Sequence, residues 1–218
     1  MPSVAANATN NVAMWLGSFA SAGSFRSQID VPRPTLVKMI AASVVGSIVG
    51  AILLLRTPNA EFSGLIPYLL LIATLLFIAG PWFARLSRRA AGELAVDSPL
   101  GLGLQFLIAI YGGFFGAAIG ILMMALLGVL GMTDLRRANA FKVLLATVIN
   151  GVAVVPFVIG RAILWEAAVA MSIGAIAGGL FGASVMKRLP SGAVRAVVIV
   201  AGIVMTAYFF WKAQEGRA

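Results

Sequence analysis

Polar and apolar residues segregate along this chain into long blocks. The apolar runs are roughly Ala5–Ala22, Leu36–Leu55, Leu65–Ala84, Leu102–Leu130, Ala140–Ile159, Ala167–Met186 and Val194–Trp211. A helix that crosses a bilayer needs about 20 apolar residues, within a range of roughly 17–25. Five of the seven runs fit that length. The first is short and polar, carrying Asn7, Thr9, Asn10, Asn11 and Ser18. It has no basic region before it and no small-residue cleavage site, so it does not read as a signal peptide. The fourth is too long for a simple span, and its middle, Gly112-Gly113-Phe114-Phe115-Gly116-Ala117-Ala118-Ile119-Gly120, is dense in helix-weakening glycine. Two readings follow: one tilted helix, or two short half-helices meeting at a glycine-rich tip.

Shifting the chain by 132 residues brings three stretches into one gap-free register. Ala6-Asn7-Ala8 falls on Ala138-Asn139-Ala140, Gly46-Ser47-Ile48-Val49-Gly50-Ala51 on Gly178-Gly179-Leu180-Phe181-Gly182-Ala183, and Arg56-Thr57-Pro58 on Arg188-Leu189-Pro190. Glycine pairs are common in membrane sequences, so the middle match alone is weak; three at one offset are not. The expected organisation is a first repeat over 1–84, a basic linker over 85–100 and a second repeat over 101–218. The second repeat opens with its glycine-rich run and the first has no counterpart before Asn7, so the repeat leads one to expect a leading segment that this chain lacks.

Composition agrees with the pattern. Hydrophobic residues make up 61% of the 218 and charged residues only 11%, against about half and about a quarter in a soluble domain. With no cysteine and no histidine, the chain has no disulfide framework, no thiolate metal site, no Ser-His triad and not the usual general base. No paired Asp or Glu lies within the runs. An embedded enzyme therefore lacks its constellations, and no cofactor or metal site is expected. The net charge of +9 sits in loops between apolar runs, as membrane topology requires, rather than in a nucleic-acid-binding patch.

The loop cations also discriminate between the two readings of the fourth run. If it crosses once, Arg26, Arg33, Lys38, Arg85, Arg88, Arg89, Arg161, Lys212 and Arg217 share one side and the other seven cations the opposite side. If it is a hairpin returning to its own side, twelve face four, with only Arg56, Arg161, Lys212 and Arg217 on the poorer side. The second split obeys the positive-inside rule better. It also puts Arg56 and Arg188 on opposite faces, making the halves inverted repeats, an arrangement common in secondary transporters. The fold class expected is thus all-α: a polytopic membrane bundle of two homologous, inverted repeats with a glycine-broken segment opening the second.

The stretch Ala5-Ala6-Asn7-Ala8-Thr9-Asn10-Asn11-Val12-Ala13-Met14-Trp15-Leu16-Gly17-Ser18 resembles the signature of the TauE/SafE family of sulfite and organosulfonate exporters, and Tyr111–Gly120 is similar to that family's second-half signature. The resemblance spans essentially the whole chain. It implies a multi-pass protein of the bacterial inner membrane that exports small anions such as sulfite or sulfonates. Two departures are visible: the family's glycine-rich leading segment is absent, and Leu16 stands where the family often has proline. The first keeps open a second class of function, a non-transporting membrane subunit or an inactive remnant.

Several residues are then candidates for the substrate pathway. Gly112, Gly113, Gly116 and Gly120 let backbone N–H groups approach an anion, or serve close helix packing. The pair Gly46/Gly50 and its mates Gly178/Gly182 read as packing. Asn7, Thr9 and Asn10 open an apolar run, and Asn139 and Lys142 are the repeat mates of Asn7 and Asn10. An Asn from each half could meet near a pseudo-two-fold axis, with Lys142 as the cation for an oxyanion. The alternatives are that the Asn residues cap helices and Lys142 snorkels. Asn150 lies deep in its run and is a pathway residue or an interhelical hydrogen bond. Arg85, Arg88 and Arg89 read as topological anchors, and Trp82, Trp165 and Trp211 as interfacial belt residues; Glu166, beside Trp165, reads as interfacial too. The partners expected are the bilayer and a small anion, with no nucleic acid; a homo-oligomer is left open.

Overall fold

In a computed structural model the regular structure of the described residues, which are 2–25, 29–89, 96–132, 134–186 and 191–215, is all α-helix. The helices are α1 (Ser3–Phe25), α2 (Arg33–Arg56), α3 (Asn59–Arg89), α4 (Pro99–Phe114), α5 (Ile119–Val129), α6 (Leu135–Ile159), α7 (Trp165–Met186) and α8 (Ser191–Glu215). Among the described residues, Arg33–Arg56, Asn59–Gly80 and Arg136–Ile159 are long and apolar enough to cross a membrane. Large apolar side chains are exposed along the outside, Ile48, Ile52, Leu75, Val155, Ile173 and Val200 among them. In a lipid solvent that exposure is favourable.

Local chemistry sets the helix boundaries. Pro34 opens α2, where a missing N–H costs nothing. Ser98 caps α4, its side chain accepting from the Gly101 N–H at 3.1 Å, with Pro99 at the first turn. Asp134 caps α6 by accepting from the N–H groups of Arg136 and Arg137.

The long fourth run is a hairpin. It breaks at Phe115–Ala118, and α5 returns along α4: a side chain built on Gly112 would meet Ile119, and one on Gly101 would meet Leu130. At 16 residues α4 is about 24 Å long, and α5 at 11 residues about 16 Å, so neither spans a hydrocarbon core of about 30 Å. Both ends of the hairpin lie where α2 and α6 begin. Lys38 of α2 bonds Asp97 before α4 at 2.8 Å, and Arg137 of α6 bonds Asp30 before α2 at 2.7 Å. This is the aspartate end of the bundle. At the opposite end Arg56 closes α2, and Leu55 packs on Gly160 after α6.

α2, α4 and α6 run in one direction, α1, α3, α5 and α7 in the other. Trp15 lies against Gly151, and Thr9 accepts a hydrogen bond from the Leu164 N–H at 3.1 Å, so α1 is antiparallel to α6 and parallel to α7. α8 runs back along α3, with Tyr68 and Phe210 edge to face at 5.1 Å. The tightest seam joins α2 to α4. Gly46 faces the Phe106 carbonyl and Ala109, Gly50 faces the Ile110 carbonyl, and Gly113 answers from α4 against Ser47. These glycines act in packing, as small residues do between membrane helices; Gly178 and Gly182 fall in the part of α7 whose surroundings are not described. A buried polar thread runs through the same seam. Gln105 Nε2 donates to Ser43 Oγ at 2.9 Å, Ser43 donates to the Met39 carbonyl at 2.8 Å, and Ser47 donates across to the Ile149 carbonyl.

The described loop cations divide as the hairpin requires: Arg33, Lys38, Arg136 and Arg137 near the aspartate end, Arg56, Arg161 and Lys212 near the other. The side chains of Arg85, Arg88, Arg89 and Arg195, together with Arg26, Lys187 and Arg188, lie outside the described residues. The Lys38 ammonium, by its hydrogen bond, holds the Asp97 carboxyl below its ordinary value of 3.8. A depressed folded-state value means that this contribution is present above the unfolded value and lost as pH falls through the folded one. The melting temperature of detergent-solubilised protein is therefore expected to fall as pH drops below about 4, and the Asp97→Asn variant to show a shallower acid limb in the same scan. Equal acid limbs would show that the pair contributes nothing. Being exposed, the pair makes the effect small.

Candidate functional site

The tip of the α4–α5 hairpin lies inside the bundle. Gly116 holds φ of 81° and Ala118 φ of 61°. The first is a left-handed conformation that glycine adopts freely; the second costs an alanine energy. These two residues turn the chain so that α5 starts pointing back. Ala118 gives α5 no side-chain cap, and the first N–H groups of a helix have no acceptor within it. The positive end of the α5 dipole is therefore presented at the tip.

Side chains from two helices flank it. From α1, Asn7 Nδ2 donates to the Phe114 carbonyl at 3.0 Å, satisfying one of the terminal carbonyls of α4. One turn further on, Asn11 is 5% exposed and its Oδ1 has no partner, while its Nδ2 lies 3.9 Å from where a Gly116 Cβ would sit. From α6, Lys142 lies along Gly120, its Nζ 3.9 Å from that glycine's Cβ position, and donates to Asn139 Oδ1 at 2.8 Å. Lys142 is only partly exposed. The tip thus combines a helix N-terminus without a side-chain cap, one cation and one amide whose oxygen has no partner.

The structure sorts the residues picked out by sequence. Gly116 and Gly120 belong to the tip. Gly112 and Gly113 are packing positions, against Ile149 and Ser47. Lys142 and Asn139 are brought together, but Asn7 and Asn139 are not. Each stands four residues beyond the first of its helix, and α1 and α6 are antiparallel, so the two lie towards opposite ends. Neither caps the helix it belongs to, each lying inside it; Asp134 has that role in α6. Thr9 is fully buried, donating to the Ala5 carbonyl at 2.7 Å and accepting from Leu164, which fixes the start of α7. Asn10 is exposed, and Asn150 is buried one residue before Gly151, where Trp15 packs.

Sequence reasoning missed Asn11, Trp15 and the polar thread of Gln105. Helical spacing was the available signal: Asn7, Asn11 and Trp15 are spaced i, i+4, i+8 and share one face of α1. Tyr111 also carries a buried hydroxyl with no partner, on the turn of α4 leading to the tip.

An all-helical bundle with lipid-compatible faces and a helix broken inside it is the build of a membrane transport protein. The comparisons with known proteins agree. The family model for sulfite exporter TauE/SafE matches residues 1–209, and the chain belongs to that family. It is 26% identical over 208 residues to a probable membrane transporter protein of Haemophilus influenzae, covering 95% of this chain and 80% of that one. It is 24% identical over 201 residues to the probable membrane transporter protein YfcA of Escherichia coli K12, covering 89% of this chain and 74% of that one. No solved structure matches it.

Proposed function

We propose that the chain is a secondary transporter of small anions, sulfur-containing oxyanions such as sulfite and sulfonates foremost, across the bacterial inner membrane, and that the anion is held at the tip of the α4–α5 hairpin. The observation that carries this reading is the meeting of the uncapped N-terminus of α5 with Lys142 on one flank and the unpaired amide of Asn11 on the other. A sulfite or sulfonate presents three acceptor oxygens. Backbone N–H groups, one ammonium and one carboxamide supply donors of the right number and sign. The Asn11 Nδ2, which already faces Gly116, is the amide donor available to the anion. The family's name favours this substrate class, and the donors gathered at the tip favour holding it there. The 132-residue register and the opposed directions of α1 and α6, and of α2 and α7, support reading the two halves as inverted repeats.

The test is flux in proteoliposomes with sulfite, a short alkylsulfonate and sulfate. The wild-type chain is expected to move the first two. Asn11→Ala should lower the rate about tenfold, the loss of one buried hydrogen bond to a charged ligand. Flux unchanged in Asn11→Ala would remove the α1 flank from the site. Silence of the folded wild type towards all three anions would refute the transport reading.

A further inference from the structure

We infer that the Arg56 end of the bundle carries a binding site for one anionic phospholipid, with an acyl chain in the groove between α2 and α6 and the phosphate on Arg56 and Arg161. The groove has a volume of about 480 Å³ and is walled by Ile48, Ile52 and Leu55 from α2 and by Val152, Val155 and Ile159 from α6. No charged side chain lines it, and it opens outward, so in a membrane its natural content is hydrocarbon. At its end Leu55 closes on Gly160, a side chain there coming within 3.1 Å of Leu55 Cδ1. The next residue on each strand of that contact is an arginine. Arg56 and Arg161 therefore both stand at the end of the bundle where the slot closes, and their long, exposed side chains can reach a headgroup there.

Both arginines are exposed, and among the described residues neither takes part in an ion pair, whereas Lys38 and Arg137 at the aspartate end do. Arg161 also occupies a position that favours a different residue. α6 ends with Gly160 N–H bonded to the Pro156 carbonyl and Ala162 N–H bonded to the Phe157 carbonyl at 3.0 Å. In this terminal geometry the left-handed residue is usually glycine. Here Gly160 is right-handed at φ of −74° and Arg161 takes the left-handed place at φ of 51°. Glycine stands one residue too early to relieve the backbone, and an arginine is held in a conformation that costs it energy. Phosphate binding at this arginine would give that cost a use. Guanidinium pairs bidentately with phosphate. Charge therefore selects the headgroup and the slot selects the chain, which distinguishes this site from ordinary lipid contact along the outer faces.

The experiment is native mass spectrometry of the full chain released from nanodiscs that contain equal amounts of phosphatidylglycerol and phosphatidylcholine with identical acyl chains. Wild type is expected to retain one phosphatidylglycerol under activation that strips phosphatidylcholine. The Arg56→Gln/Arg161→Gly double variant should lose that preference by about thirtyfold, since each of the two basic residues contributes about 1 kcal/mol to an anionic membrane surface. Arg161→Gly relieves the left-handed strain, so its melting temperature should equal or exceed that of wild type, and loss of lipid cannot be put down to unfolding. Equal retention of the two lipids, an unchanged preference in the double variant, or a lipid-free dimer closed over the groove would each overturn the inference.

Discussion

Gly50→Ala is expected to unfold much of the protein, while Gly64→Ala leaves it intact or slightly firmer. The substitution is the same, one methyl group on a membrane helix, and only the surroundings differ. A Cβ on Gly50 would run into the Ile110 carbonyl and lie 2.8 Å from the Phe114 nitrogen. Both are backbone atoms of α4, so no rotamer change relieves the clash, and α2 and α4 must separate. Separation also loosens the neighbouring contacts of Gly46 and Gly113 and the Ser43–Gln105 hydrogen bond. Overpacking of this kind costs about 1–3 kcal/mol and occasionally more, a large part of the stability of a small domain. At Gly64 nothing lies within 4 Å of the added carbon, and alanine exceeds glycine in helix propensity by roughly 1 kcal/mol. Thermal melts of the two variants in detergent, read by size-exclusion recovery, should therefore move in opposite directions. Parallel shifts would mean that the α2–α4 seam is not the tight contact described.

Lys142→Met is expected to lower anion flux about thirty-fold or more with little change in melting temperature, since a charge-assisted hydrogen bond of about 2 kcal/mol disappears. Methionine keeps the aliphatic length that lies along Gly120, so packing is conserved and the charge alone is lost. Lys142→Arg should retain part of the flux, because the cation persists in a bulkier, planar form. A structural lysine gives a different pattern: both variants would lower the melting temperature, and flux would follow the amount of folded protein. Asn139 supplies the control. It holds the Lys142 ammonium at 2.8 Å, and Asn139→Ala should cost less flux than Lys142→Met, because the cation is freed rather than removed.

Much of this was legible in the sequence where chemistry repeats along a stretch, and not where it depends on a single angle. The blocks of apolar residues mark the helices to within a few residues, because hydrocarbon length and helix rise fix one another. Glycine density between Gly112 and Gly120 foretold the break, and the distribution of loop cations favoured a return over a crossing. The α2–α4 seam was readable from Gly46 and Gly50, since small residues four apart line one helix face. The tip was only half readable. Asn10 and Asn11 are adjacent, yet a step of one residue turns a helix by about 100°: Asn10 faces outward and Asn11 faces Gly116. The 132-residue register sets Asn7 against Asn139, but α1 and α6 run in opposite directions, which sends the pair towards opposite ends of the bundle. Proximity in a repeat alignment is not proximity in space. The Gln105 thread was hidden for another reason: one polar residue in an apolar run declares neither its face nor its partner.

The most direct test of the account is labelling of single cysteines, for which this cysteine-free chain needs no background removed. Leu100→Cys and Met132→Cys mark the two ends of the hairpin, and Ala117→Cys marks its tip. A membrane-impermeant maleimide should reach both ends from the same side of the membrane, and a non-nucleophilic alkylsulfonate should slow labelling at Ala117→Cys while leaving the two ends unaffected. Labelling of the ends from opposite sides would make the segment a crossing helix, and a tip rate indifferent to the sulfonate would place the anion elsewhere.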